Sequence, residues 1–544
     1  MPFPSHGLTH RSTVTGRRGM VASGHPLASL AGVQILLQGG NAIDAAVATA
    51  AALNVVEPYM SGIGGVGYMH IYSARDQAHK VCDYVGLTPA ATDIDMYEED
   101  AQKDRGPLSP LVPAACAGWM ESLRKYGSMD AAAVFAPAIE LAEEGFALTV
   151  KNASFFAGNV NDLRKYPSSA STYLIDGHCP EPGEILRQPD LAETFRTIAA
   201  EGPDVFYSGS LGDIIAAFMA DVGGILTKQD LVANQPQWLD PLGVKYRDST
   251  IWAPPAPCQA IQYLQTLKLL EGFDIAGMGH NSAETLHTFI EAVKLACIDR
   301  INYAALADSP TAGLLADGYA EQRRQLIGDR AALSMGDTFR TEEPPGEVAP
   351  GDPEPWMKDE CTTHFDTIDA DGNAVACTQS LGSGFGSAMV VPGTGIAMNN
   401  FMRWFDNVEG SPNAIGPSRK NEMCVSPAQV WDKDGLRLLI GTPGSYGILQ
   451  TTPQMIMNVL DHGMNVQAAI EAPRLKATQG HNVDIETRIP ADVRAELSRR
   501  GHQLTELGDW SPGVGGGQGV HVDPQTGSFM GGGDPRRDGY ALGL

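Results

Sequence analysis

The 544-residue chain is short of the features that usually announce an activity. Its 8 cysteines, at 82, 116, 179, 258, 297, 361, 377 and 424, form no CxxC pair and no disulfide-like spacing. That argues against a cysteine metal site or a disulfide framework and for a reducing compartment. No apolar run reaches the roughly 18 residues of a membrane span, so no membrane partner is expected. Positive charge is scarce: 38 Lys and Arg stand against 64 Asp and Glu, and the net charge of −26 repels nucleic acid and anionic lipid alike. HExxH, a Walker glycine loop and GxSxG are all missing, so the commonest zinc, nucleotide and serine-hydrolase signatures are gone. The basic N-terminus, "MPFPSHGLTHRSTVTGRRG", lacks the apolar core of about 7–15 residues of a secretory signal, and a cytoplasmic location is the expectation. A small molecule is the partner that remains.

What is present reads as mixed helix and strand. From His25 two helices are predicted, with Leu27, Leu30, Ala31, Leu36 and Leu37 near helical spacing, Gly39-Gly40 stopping the first and Asn41 capping the second. The second is nearly all alanine and valine up to Glu57-Pro58, and so must pack closely inside the protein. Gly62, Gly64 and Gly67 spell GxGxxG, but a helix precedes them and an alternating strand, Tyr68 to Tyr72, follows. A dinucleotide site needs the reverse order, so a tight helix-to-strand connection is the reading here. Residues 107–330 are mostly helical in pattern, and 338–361 hold five prolines among acids and are read as a linker. Beyond it come a hairpin around Asp371-Gly372, strands in "VVPGTGIAMNN" and "GLRLLIGTPG", a helix ended by Gly463 and two more strands near the C-terminus. "DADGN" fails the spacing of a calcium loop, and its turn reading suffices.

The hairpin opens on Thr362 and Thr363 straight after the linker. If the chain is cut before Thr362, the new α-amine has a reference pKa near 7.7–8.0 and lies beside its own hydroxyl. Amine and Oγ then serve as base and nucleophile without a histidine. Oγ can also make that cut itself, by attacking the Cys361 carbonyl to form an ester that water opens. The plain alternative is a threonine-rich strand, which threonine favours anyway.

Eight segments decide between the two. "GMVASGHPLAS", "GGNAIDAAVA", "VEPYMSGIGG", "PAIELAEEGF", "TTHFDTIDADGNAVACTQS", "MNNFMRWFD", "GTPGS" and "GGGDPRRDGYA" occur in this order over nearly the whole chain. In this the chain resembles the γ-glutamyltransferase family of N-terminal-nucleophile hydrolases. The resemblance implies an α/β fold, a four-layer αββα sandwich, and self-cleavage into a large subunit, 1–361, and a small one, 362–544. It implies Thr362 as nucleophile, Thr363 as a supporting hydroxyl, Ser380 as a contact of the nucleophile, and the N–H groups of Gly444 and Ser445 as oxyanion donors. The family usually has two glycines at that last pair. No metal and no organic cofactor is implied, and the two subunits form one unit, with a dimer of such heterodimers open to it.

The substrate positions depart from the family pattern. Its carboxylate-binding arginine falls on Val85, its glutamine and aspartate for the α-amino group on Phe401 and Trp404, its serine pair on Met423 and Cys424, and an asparagine on Gly382. Asn400 and Arg403 flank these positions. Arg403 is expected on a strand, facing away from Met402 and Trp404; Arg419 and Lys420 are further candidate cations. A charge-assisted hydrogen bond to the amino-acid head group is worth roughly 1.5–3 kcal/mol, and these positions supply none, so γ-glutamyl recognition is not expected. The expectation is an autoprocessed amide hydrolase acting on a non-γ-glutamyl amide, like the cephalosporin-type acylases or the oxamate amidohydrolases. No cation for oxamate can be placed from sequence. A glutathione hydrolase with anchors elsewhere, told apart by activity on a γ-glutamyl anilide, and an uncleaved silent relative, told apart by a single band on a gel, are the alternatives.

Overall fold

A computed structural model describes residues 9–306, 308–331 and 361–544; most of the proline-rich stretch, and with it the linker reading, lies outside the described residues. Two seven-stranded sheets form the centre of this region. One runs in the order Tyr540–Gly543, Gly19–Ser23, Cys361–Asp369, Ala374–Gly382, Val66–Ser73, Ala78–Tyr84, Gln237–Leu239. The other runs Val14–Gly16, Ser528–Gly533, Gln518–Asp523, Gly435–Gly441, Ala428–Asp432, Ser249–Ala253, Leu242–Tyr246. Met20, Ile368 and Ala376 of the first meet Leu439, Val520 and Phe529 of the second in a core between the sheets. Helices Pro26–Leu37 and Ala42–Val56 cover the outer face of the first sheet, and Ile261–Leu270, Ile448–Leu460 and Val466–Glu471 that of the second. The four layers are therefore α, β, β, α, as expected. All nine residues of Cys361–Asp369 are buried, because a sheet covered on both faces has no solvent side.

The helix from Ala42 to Val56 is capped by Asn41, whose Oδ1 accepts from the Ile43 and Asp44 N–H groups while Asp44 accepts the Asn41 N–H in return. Every one of its residues is buried, as its small side chains require. The helix before it forms as expected, with Ala31 buried and Leu27 and Leu36 packed against the core, but two of its leucines point outward. Leu30 and Leu37 are exposed, and Ala28, Ala31, Gly32, Val33 and Ile35 face inward, because the close approach to the sheet admits small side chains and turns the leucines outward. The glycines after Pro58 are a helix-to-strand connection, leading into Val66–Ser73. A Cβ at Gly65 would run into the Ser380 carbonyl oxygen, so this connection can lie against the hairpin only as glycine.

Three further expectations are corrected. The mostly helical stretch 107–330 also contains the short strands Gln237–Leu239 and Leu242–Tyr246, each at the edge of a sheet, and Ser249–Ala253, which lies between Leu242–Tyr246 and Ala428–Asp432. From Gln503 onward there are four strands, not two: Gln503–Glu506, Gln518–Asp523, Ser528–Gly533 and Tyr540–Gly543. Phe401–Trp404 is a 3-10 turn, not a strand, so the alternation argument for Arg403 does not apply.

Candidate active site

Thr362 is the second residue of its strand, at an irregularity in the ladder: Cys361 pairs with Gly382 but Thr362 pairs with Ser380, leaving Leu381 unmatched. Leu381 bonds elsewhere, its N–H to the Met60 carbonyl and its carbonyl to the Asn400 N–H. Such a bulge re-aims the side chains beside it. Its result is a relay centred on the Ser380 hydroxyl. The Thr362 hydroxyl donates to Ser380 Oγ at 3.3 Å, the Gly382 N–H donates to it at 2.9 Å, and Ser380 donates to the Cys361 carbonyl at 2.6 Å. The bond between Cys361 and Thr362 thus has a hydroxyl on each side of it and a polarised carbonyl.

Strand alternation sends Thr363 to the opposite face, where its hydroxyl donates to Glu57 Oε2 at 3.0 Å and not to Thr362. Support from Thr363 therefore reaches the nucleophile through the backbone. Burial drives the Glu57 carboxyl up to about 7, against the pull of the Arg537 guanidinium and the Thr363 hydroxyl. Arg537 is itself buried, and its Nη1 donates to the Thr362 carbonyl at 3.4 Å. The sequence alone does not single out Glu57 or Arg537, although both lie inside the family-like segments; they are 306 and 175 positions from their partners. His364 shares the face of Thr362, but Thr378 Oγ1 and Asp366 Oδ1 engage its two nitrogens. It is not available as a base.

Gly441 lies against the His364 ring, and three residues further on come Gly444 and Ser445. Neither of their N–H groups has an acceptor among the described residues, and the helix Ile448–Leu460 begins just beyond, with its positive end toward them. Ser445 has φ of 57°, the left-handed region that favours glycine. Its hydroxyl is buried without a partner among the described residues.

The positions that depart from the family pattern come together. Val85, Phe401, Trp404, Met423 and Cys424 belong to one buried apolar cluster. The rings of Phe401 and Trp404 lie 6.4 Å apart, and Trp404 meets Tyr446, the neighbour of Ser445, at 4.8 Å. Gly382 has φ of 101°, the region that favours glycine, and a Cβ there would collide with Asn400 Oδ1, so an asparagine here is strained and must displace the Asn400 side chain. Asn400 in turn braces the loop, accepting the Ser383 N–H at 2.8 Å. Arg403 bonds Ser383 Oγ and pairs with Asp104 at 3.4 Å. Arg419 holds the Ala414 and Pro412 carbonyls, and Lys420 pairs with Asp83 at 2.6 Å, so both serve the structure of their loop.

Among the described residues one group could hold a metal ion, His287, Glu291 and His502, which sequence spacing does not reveal because the two histidines are 215 positions apart. Its imidazoles bond each other at 2.8 Å and Lys294 Nζ lies 3.0 Å from Glu291, so a cation already occupies the carboxylate.

Comparisons with known proteins place the fold and the family. The family model described as Gamma-glutamyltranspeptidase matches residues 28–544. An Acylase ACY 1 proenzyme of Pseudomonas sp. (strain V22) is 37% identical, over 98% of this chain and 95% of its own length. A glutathione hydrolase proenzyme of Bacillus subtilis (strain 168) is 32% identical over 98% and 93%. Among solved structures, a cephalosporin acylase from Bacillus halodurans superposes with a TM-score of 0.89 at 34% identity, covering 100% of this chain and 98% of that one. The chain belongs to the gamma-glutamyltranspeptidase family.

Proposed function

We propose that the chain is a proenzyme that cuts itself between Cys361 and Thr362 and then hydrolyses amides whose acyl group is not γ-glutamyl. The observation that carries this reading is the Ser380 hydroxyl, which bonds both the Thr362 hydroxyl and the Cys361 carbonyl. In the first reaction Thr362 Oγ attacks the Cys361 carbonyl carbon, its proton passing toward Ser380. The C–N bond then breaks, the nitrogen keeps its electrons and gains a proton as the Thr362 α-amine, and water opens the ester to free the Cys361 carboxylate. In the second, that amine takes the proton of Thr362 Oγ as it attacks the substrate carbonyl. The negative charge that develops is met by the Gly444 and Ser445 N–H groups, which have no other acceptor to give up among the described residues. The leaving amine departs with a proton, and water releases the acid from Thr362.

After the cut the pieces would be residues 1–361 and 362–544. They stay one body, because Cys361–Asp369 lies between Gly19–Ser23 of the large piece and Ala374–Gly382 of its own, which in turn pairs with Val66–Ser73. The choice of acyl group rests on the cluster of Val85, Phe401, Trp404, Met423 and Cys424, which offers neither a cation nor a side-chain oxygen to an amino-acid head group. The acylase names of two of the relatives above favour the same choice over a glutathione hydrolase. The test is to mature the protein and screen acyl anilides and γ-glutamyl anilide while following the mass of the small subunit. An acyl adduct on Thr362 with non-γ-glutamyl amides supports the reading; adducts confined to γ-glutamyl compounds reject it.

A further inference from the structure

The peptide unit after the nucleophile is held at two points by ionisable side chains. Arg537 Nη1 donates to the Thr362 carbonyl at 3.4 Å, and the Thr363 hydroxyl donates to Glu57 Oε2 at 3.0 Å. A Cβ at Gly24 would lie 2.6 Å from Glu57 Oε2 and 2.9 Å from Thr363 Oγ1, so the backbone there packs directly on this hydrogen bond. Glu57 is also tied to the bulge beside Thr362. Its carbonyl accepts the Met60 N–H, the Met60 carbonyl accepts the Leu381 N–H, and Met60 Sδ accepts from Arg537 Nη1. The carboxyl, the guanidinium and the strand that carries Thr362 therefore form one connected unit.

Burial pushes the Glu57 carboxyl up, the Arg537 guanidinium and the Thr363 hydroxyl pull it down, and Asp538 adds to the rise, which leaves it at about 7. Its neighbours keep their charge near neutral pH. Tyr59 is held well above its ordinary value by burial and stays protonated, with Asn152 donating to its hydroxyl. His25, next to Gly24, is driven down to about 4 by burial and is neutral above that pH. We propose that Glu57 is a positioning residue: as a carboxylate it holds Thr363 and offsets the Arg537 charge, and through that peptide unit it aims Thr362 Oγ in both self-cleavage and amide hydrolysis. The second of these rests on the amidase reading. A hydroxyl bonds a carboxylate about twice as strongly as a neutral carboxyl, and a buried guanidinium without an opposite charge is unfavourable, so protonating Glu57 loosens both holds at once. The charged form that burial disfavours is the form the site uses.

The test is the pH profile of acyl p-nitroanilide turnover by the mature enzyme, from about pH 5 to about pH 9. Two groups must lose a proton, the Thr362 α-amine and Glu57, so log kcat/KM should fall with a slope approaching about 2 on the acid side. Glu57→Gln should show a slope of about 1, with kcat at high pH lowered by about 10- to 100-fold and KM near the wild-type value. Thr363→Val removes the same hydrogen bond from its other end and should also return the slope to about 1 with Glu57 in place. A merely structural role predicts the opposite for Glu57→Gln, which buries no charge at high pH and should there be at least as active as the wild type. A wild-type slope of about 1, or a Glu57→Gln profile that superimposes on the wild type, would overturn the proposal. Self-cleavage separates this from the amidase reading, because in the precursor the Thr362 nitrogen is still an amide and takes no proton. Freshly synthesised wild-type precursor should cut itself about 10-fold more slowly per pH unit below neutrality, and Glu57→Gln should lose that dependence. This result in a protein that hydrolyses no amide keeps Glu57 in its role and rejects the amidase. Amide hydrolysis with both profiles unchanged by Glu57→Gln does the reverse.

Discussion

Ser380 Oγ donates to the Cys361 carbonyl at 2.6 Å while accepting from the Thr362 hydroxyl at 3.3 Å. One side chain thus polarises the carbonyl to be attacked and draws the attacking oxygen toward it. Ser380→Ala removes both effects and should slow self-cleavage by about 100-fold, the order expected when one oxyanion-type donor is removed. Ser380→Thr keeps the hydroxyl and should recover much of the rate. The fraction of chain cut against time, read on a denaturing gel, checks this; cleavage by the alanine variant at the wild-type rate would exclude Ser380 from the step.

Glu57 should make stability depend on pH. Its carboxyl rises from the ordinary value of 4.5 to about 7 on folding, through burial, so between these values the folded state holds a proton that the unfolded state has released. Stability therefore falls as pH rises through this window, by about 3 kcal/mol for a shift of this size. Glu57→Gln cannot titrate. The wild type should lose that amount relative to Glu57→Gln between pH 4 and pH 8, measured by chemical denaturation on the two proteins side by side.

The left-handed backbone of Ser445 costs roughly 1 kcal/mol that glycine would not incur. Its N–H, not its unpartnered hydroxyl, is the group assigned to the oxyanion. Ser445→Gly should raise stability by up to about 1 kcal/mol with turnover retained, whereas Ser445→Val, branched at Cβ, should lower both stability and turnover. Urea midpoints and anilide turnover together distinguish the two variants.

Restoring γ-glutamyl recognition should be hard. Val85 is buried among apolar neighbours, and Val85→Arg alone places a charge without a partner there, at a cost of about 3 kcal/mol or more. Gly382→Asn meets Asn400. The unmodified enzyme should hydrolyse γ-glutamyl p-nitroanilide at least about 100-fold less efficiently than its best acyl anilide, consistent with the absence of two charge-assisted hydrogen bonds to the head group. A glutathione hydrolase assay showing comparable efficiency would withdraw this substrate reading without touching the nucleophile.

The parts of this molecule that the sequence disclosed are those whose causes are local. Asn41 and Asp44 cap a helix within four residues, Asp371-Gly372 turns a hairpin, and Thr362 stands at the start of its strand; each is legible because partner and cause are close in the chain. The family resemblance extended that to Ser380, Gly444 and the apolar substitutions at Phe401 and Trp404. What stayed hidden was long-range. Glu57 and Arg537 acquire their meaning only when the helix after Asn41 and the last turn of the chain meet the nucleophile strand. The outward Leu30 and Leu37 reflect the opposite limit, where the tightness of helix-to-sheet packing overrides a periodicity that leucine suggests.

The central claim is that Thr362 first cuts the chain and then carries the acyl group. Intact-mass spectrometry of the purified wild type and of Thr362→Ala, before and after incubation with a slow acyl substrate, tests it most directly. The wild type should separate into two chains, the smaller beginning at Thr362 and gaining one acyl group on that residue, and Thr362→Ala should stay a single chain without adduct. Cleavage of Thr362→Ala at the same bond, or an acyl group found on any other residue of the wild type, would contradict the account.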